Sequence, residues 1–265
     1  MATNMARKAD DVSRPASVLP GGMSLTVASY NIHKCVGTDG VFDPMRIKHV
    51  ILSLDADIVA LQEADARFGD RRGLLDLEVL LNSGGYRAVA NVGSRDMSHG
   101  WHGNVVLYRT GAVHASGRLK LPGIEPRGAL VVDFDHDGDP LRVIAVHLGL
   151  LRRSRTKQAL RILDAAQPDD GRPVIVMGDM NEWRTNGHSV VSQLSPHLVE
   201  AGGPHASFPA RYPFLPLDRI MVSPAVDVSA AEAVDTPLTR VASDHLPLRA
   251  VVTIPAARAR HGGAA

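Results

Sequence analysis

Apolar residues in this chain come in short, solid runs separated by polar turns. Ten of them read as strands: Leu25–Tyr30, Ile58–Gln62, Tyr86–Ala90, Asn104–Arg109, Ala129–Phe134, Arg142–His147, Val174–Met177, Arg219–Val222, Val226–Ala230 and Leu248–Ile254. These runs are rich in Val and Ile and are bounded by Gly, Pro, Asp or Asn, the usual punctuation of strands. Some, such as "VIVM" at Val174–Met177, are apolar at every position, which predicts a sheet covered on both faces. Helical patterns are fewer. Asp43 and Pro44 make a helix start, and Ile47, Val50, Ile51 and Leu54 follow on one face. A second helix is expected over "SRTKQALRILDAA", with Ser154 as cap and Leu160 and Leu163 on one face, and a third over Leu74–Leu81. Ten strands with few crossover helices predict an α/β chain of two mostly antiparallel packed sheets flanked by helices, and not a doubly wound parallel sheet.

Length and composition refine this only slightly. The 265 residues suit one domain over 23–255 with polar tails over 1–22 and 256–265. Hydrophobic residues at 45% and charged residues at 22% are ordinary globular usage. A formal net charge of +1 gives no bulk electrostatic signature of a nucleic-acid or membrane-surface binder. No stretch has the apolar length of a secretory signal or a membrane span. Cys35 is the sole cysteine, so no intramolecular disulfide forms. That pattern fits a reducing, cytoplasmic setting and a cysteine used for packing.

The stretch "DFDHDG", Asp133–Gly138, imitates the start of a calcium loop. The acidic twelfth position such a loop needs is occupied by Ile144. Asp137-Gly138 reads instead as the turn of a hairpin between two strands.

Chemistry enters at the strand ends. Apolar runs terminate in Asn31, Glu63, His147, and the pair Asp179 and Asn181, while Asp218 and the pair Asp244 and His245 sit just before others. Each has a plainer reading alone: Asn31 as a turn residue, Glu63 as a cap, His147 as a satisfied core histidine, Asp218 as half of a surface pair with Arg219. A buried unpaired charge costs several kcal/mol, so polar residues repeated at strand ends predict one shared polar site. The residue types suit phosphate-ester hydrolysis. Glu63 and Asp244, with the amide oxygen of Asn31, are hard oxygen ligands for Mg²⁺ or Mn²⁺. Asp179 can deprotonate an attacking water, and His245, oriented by Asp218, can hydrogen-bond the phosphate as an imidazolium.

In order along the chain, "ASYNIHK", "ALQE", "VHL", "MGDMN", "LDRI" and "SDHLPL" resemble the endonuclease/exonuclease/phosphatase superfamily. The resemblance spans about Leu25 to Ile254. It implies a four-layer α/β sandwich and a divalent metal. It makes Glu63 the principal metal ligand with Asn31 and Asp244 supporting, Asp179 the water-activating base, Asn181 a phosphate contact, and His245 a phosphate contact oriented by Asp218. His147 matches a second catalytic histidine, and Arg127, in "EPRGAL", a phosphate-binding arginine. The sequence departs from some members in the loop "SRDMSHGWHGN", which offers His99, Trp101 and His102 where they place a Tyr.

Beyond the motifs, "LRRSRTKQALR" follows His147 directly, and Arg152 and Arg155 are the members expected to meet an anionic substrate. Trp183 is expected to pack. The substrate class is a phosphoester, whether phospholipid, small phosphodiester or nucleic acid, handled by a monomer.

Overall fold

The protein is described by a computed structural model over residues 22–66, 71–90, 98–184, 187 and 189–256. The predicted tails lie outside these residues, apart from Gly22 and Ala256. Two six-stranded sheets face each other. The first contains β1 (Met23–Asn31), β2 (Ile58–Gln62), β3 (Arg87–Ala88), β4 (Val105–Tyr108), β11 (Asp227–Ala233) and β12 (Leu248–Ile254). Its order is β11-β12-β1-β2-β4-β3. The second contains β5 (Ala112–Leu121), β6 (Arg127–His136), β7 (Asp139–His147), β8 (Val174–Asp179), β9 (Val199–Glu200) and β10 (Asp218–Val222). Its order is β5-β6-β7-β8-β10-β9. In each sheet one pair, β1–β2 or β7–β8, is parallel and the other pairs are antiparallel.

A parallel pair needs a crossover, and two helices supply them. Helix α1 (Pro44–Ser53) joins β1 to β2, and α3 (Arg152–Ala165) joins β7 to β8. Alternation along the strands then makes three apolar layers. Val27, Ile58, Val143, Ile175, Met177 and Val252 meet between the sheets. Ala28, Tyr30 and Val59 back onto Ile47, Val50 and Ile51 of α1. Ile144, Val174 and Val176 back onto Ala159 and Ile162 of α3 and onto α4 (Val190–Leu194). The result is the expected four-layer sandwich, and "VIVM" is covered on both faces as its composition predicts.

Helix ends follow capping chemistry. The Asp43 carboxylate accepts from the Arg46 N–H at 3.0 Å, with Pro44 next in line. The third predicted helix is shifted. It is α2 (Leu77–Gly84), because Asp76 caps Val79 and Gly85, at φ +68°, closes the end. Ser154 does not cap α3. It lies buried inside the first turn, and the Leu151 carbonyl opens the helix by accepting from the N–H groups of Ser154 and Arg155. Two strands went unpredicted. Strand β5 is a largely polar edge strand with a register shift between Val113 and Ala115, and β9 is two residues long. The predicted calcium imitation is a hairpin, as expected, with Asp137 and Gly138 both at positive φ.

Strand parity positions the chemistry. Ile175 and Met177 face the inter-sheet core, so Asp179 faces it too; the same count carries Val143 and Ala145 to His147, Ile220 to Asp218, and Val27 to Asn31. Register completes the alignment, since Asp179 pairs with His147 on one side and Asp218 on the other. Gly178 makes this fit possible. A Cβ there would lie 1.9 Å from the Val146 carbonyl oxygen, a backbone atom that cannot swing aside. Gly178→Ala is therefore expected to destabilise the fold by about 3 kcal/mol. Urea unfolding measures this, and a loss within experimental error would refute the close approach.

Candidate functional site

Asp179 is the hub of a buried polar cluster at the ends of the central strands. Its Oδ2 accepts from Asn31 Nδ2 at 3.0 Å, and its Oδ1 accepts from the Asn181 N–H at 2.8 Å. His147 Nε2 lies 3.5 Å from the same carboxylate, and His245 Nε2 lies 3.9 Å from it. Asn181 lies beyond the extended chain of β8. The strand ends at Asp179, and Asn181, at φ +50°, turns back so that its amide also reaches the Leu148 carbonyl at 3.0 Å. Asp218 Oδ2 accepts from His245 Nδ1 at 2.7 Å and from Ser207 Oγ at 2.6 Å. Asp218 and Arg219 are not the surface pair of the plainer reading. Both are buried, and Arg219 pairs instead with Glu200 at 2.7 Å on the other face of β10.

Burial and neighbouring charge divide the proton affinities. Removal from water pushes the Asp179 carboxyl up, the His245 charge opposes this, and the Asp218 charge adds to it, leaving Asp179 at about 6. For His245, burial disfavours the charged ring, but Asp218 and Asp179 outweigh it, and the imidazole is pushed up to about 10. A histidine raised above its unfolded value of 6.5 contributes stability that is complete below that value and is lost as pH rises through about 10. In chelator-treated protein the urea-midpoint gap between wild type and His245→Asn should therefore be widest below pH 6.5 and close as pH approaches 10. A gap that stays constant across this window would remove the ion-pair account.

Beside the cluster opens a cavity of about 280 Å³ lined by Glu63, Lys34, Arg71, His102, Arg127 and His147 among others. Glu63 follows β2 at φ +56° and forms an ion pair with Lys34. Lys34 belongs to a turn, His33–Cys35, whose three residues all have positive φ. Such backbone is unfavourable for residues with a Cβ and is a common price of placing groups at a site. It is secured by the Asn31 side chain, which accepts from His33 N–H, and by Cys35 N–H donating to Ile32. Cys35 itself is buried, and burial pushes its thiol up to about 12, which suits packing and not nucleophilic chemistry. Arg127 Nη1 lies 2.9 Å from the His147 ring, and its guanidinium pairs with Glu125 at 3.0 Å.

Two groups of donors could take a metal. Asp179, Asp218 and His245 have donor atoms within 4.8 Å of one another, but His245 Nδ1 is already engaged by Asp218. Of the sequence-predicted set, Glu63 opens on the cavity and already meets a cation, the Lys34 ammonium. Asn31 pairs in register with Gln62, next to Glu63. The Asp244 side chain is one-third exposed and lies beside His33 at 3.7 Å, while Ser243 Oγ donates to the Asn31 carbonyl at 2.7 Å. In this set the Asn31 amide oxygen already accepts from His33 N–H, and Glu63 is the carboxylate that lines the cavity, a hard oxygen donor of the kind a hard divalent ion takes.

Other expectations change. Arg155 does not face the cavity. Its buried guanidinium turns inward, reaching Glu182 at 3.1 Å and the Gly149 and Leu150 carbonyls. Arg152 is exposed at the first turn of α3. Trp183 is not packed; it is exposed, with Arg184 over its ring at 4.6 Å. Trp101 wedges against the backbone of β6, where a Cβ on Gly128 would meet its indole nitrogen at 2.3 Å, and His102 lines the cavity. Ser94 to Met97 of that loop lie outside the described residues. Sequence reasoning missed Lys34, although it stands in the quoted "NIHK", and Ser207, whose position carries no motif.

Residues 28–245 match the family described as Endonuclease/Exonuclease/phosphatase family. Uncharacterized protein YbhP of Escherichia coli K12 is 31% identical over 246 residues, covering 86% of this chain and 96% of that protein. The crystal structure of an endonuclease/exonuclease/phosphatase from Beutenbergia cavernae aligns with TM-score 0.67 at 26% identity, over 87% of this chain and 72% of that one. A mannosyl-6-phosphatase from Bacteroides thetaiotaomicron shares the fold with TM-score 0.67 at 19% identity, over 86% and 99%.

Proposed function

Because the chain belongs to the Endonuclease/Exonuclease/phosphatase family, we propose that it is a Mg²⁺- or Mn²⁺-dependent phosphoester hydrolase in which Asp179 activates the attacking water. The observation that carries this reading is the Asp179 hub: a buried carboxylate, raised to about 6, held by two amides and flanked by two histidines. Fixed by Asn31 and the Asn181 N–H, Asp179 orients the water and takes its proton as the water oxygen bonds to phosphorus. In-line attack breaks the bond to the leaving oxygen on the opposite side. His245, protonated between its two carboxylates, donates to a phosphoryl oxygen, as does the Asn181 amide. His147, in contact with Arg127, adds a second donor, and Arg127 compensates phosphate charge. Held by Glu63 with Asn31 and Asp244, a divalent ion would neutralise phosphoryl oxygens and stabilise the leaving oxygen. Arg152 is assigned to longer-range attraction of an anionic substrate.

Hydrolysis of bis-p-nitrophenyl phosphate tests this. Activity with Mn²⁺ or Mg²⁺, abolished by chelator and restored by the ion, is the expected result. No turnover of that ester, nor of DNA, RNA, phospholipids or sugar phosphates with either ion, would overturn the reading.

A further inference from the structure

Loops that lead into the site end in exposed apolar side chains. Ile124 precedes Arg127, Leu150 and Leu151 follow His147, Trp183 follows Asn181, and Phe214 precedes Asp218. Their exposures are 84%, 63%, 48%, 45% and 68%. Scattered exposed apolar residues are ordinary, but these are held together from beneath. Gln158 of α3 donates to the Pro122 carbonyl at 3.0 Å and accepts from Gly149 N–H at 2.9 Å. Glu125 accepts from Leu150 N–H at 2.9 Å. Buried Arg155 ties Gly149 and Leu150 to Glu182, and buried Arg219 ties the Glu182 carbonyl to that of Pro216. Four loops from different parts of the chain are thus clasped as one rim.

The exposed charges at the tips are all basic, and Glu125, next to Ile124, is half-buried and paired with Arg127. The tip segments 122–124, 150–153, 183–184 and 211–214 contain Arg152, Arg153, Arg184 and Arg211, all exposed, and no Asp or Glu. Arg184 lies over Trp183, and Arg211 stands 6.0 Å from the Tyr212 ring. Apolar and aromatic tips with arginines beside them complement a surface that is apolar within and anionic at its headgroups. A nucleic acid offers the arginines its phosphates and the aromatic tips its bases but leaves Ile124, Leu150 and Leu151 in water.

We propose that this rim docks the mouth of the site on an anionic phospholipid surface, and that the phosphoester cleaved there belongs to an amphiphile in that surface. The substrate class rests on the hydrolase reading above; the docking does not. Co-sedimentation with phosphatidylglycerol-containing vesicles tests the docking without turnover. Wild type is expected to bind, to bind less at high salt, and to show a blue shift of Trp183 emission. The variant Leu150→Ser/Leu151→Ser/Phe214→Ser should lose about tenfold or more in vesicle partitioning while keeping wild-type melting and hydrolysis of soluble bis-p-nitrophenyl phosphate. Wild type that fails to bind, or a folded variant that binds equally well, overturns the proposal. Vesicle binding by a protein that turns over no phosphoester would keep the docking and remove the substrate class.

Discussion

Asp179→Asn is expected to lower kcat on a phosphodiester by about 10²–10⁴-fold, the range for removing a positioned general base. The substitution keeps shape but not function. The wild-type carboxylate accepts from Asn31 and from the Asn181 N–H on separate oxygens. An amide offers one oxygen, so one donor loses its acceptor at a cost of about 1–3 kcal/mol. His245 simultaneously loses one of the two carboxylates that favour its charge. A pH profile of kcat/KM distinguishes this from general damage. Wild type should show a rising limb near 6, the Asp179 value, and the variant should lack it. Retention of that limb, or of most activity, would assign the base elsewhere.

Glu63→Gln carries the second large effect, a fall in kcat/KM of about 10²–10⁴-fold through several kcal/mol of lost charge stabilisation. The group opens on the cavity and pairs with Lys34. Gln removes the negative charge while preserving volume, leaving Lys34 without its anion. Titration calorimetry with Mn²⁺ reads the metal site independently of turnover. Weakened ion binding supports Glu63 as the ligand. Unchanged affinity in Glu63→Gln, with loss in Asp218→Asn, would move the ion to the buried Asp179, Asp218 and His245 group.

Much of this was legible because strand chemistry is local. Val174–Met177 announced a doubly covered strand, and period-two counting carries Met177 to Asp179 with no tertiary knowledge. Asp43 with Pro44 fixed the start of α1 for the same reason. What escaped depends on long-range partners. Strand β5 alternates too weakly to register, since its face is largely in water. Whether Arg155 faces substrate or core is decided by Glu182, distant in sequence. The role of Ser207 exists only once Asp218 is beside it.

The pairing of β1 with β12, Met23 opposite Ile254, has a consequence for biosynthesis. β1 is among the first strands to leave the ribosome, and β12 comes after every other strand described. Vectorial synthesis leaves one edge of an apolar central strand bare through nearly the whole of translation, an invitation to mispairing that chaperones exist to prevent. Asp244 and His245 immediately precede β12. The nascent polypeptide therefore completes the polar cluster around Asp179 and closes this bare strand edge in the same late event.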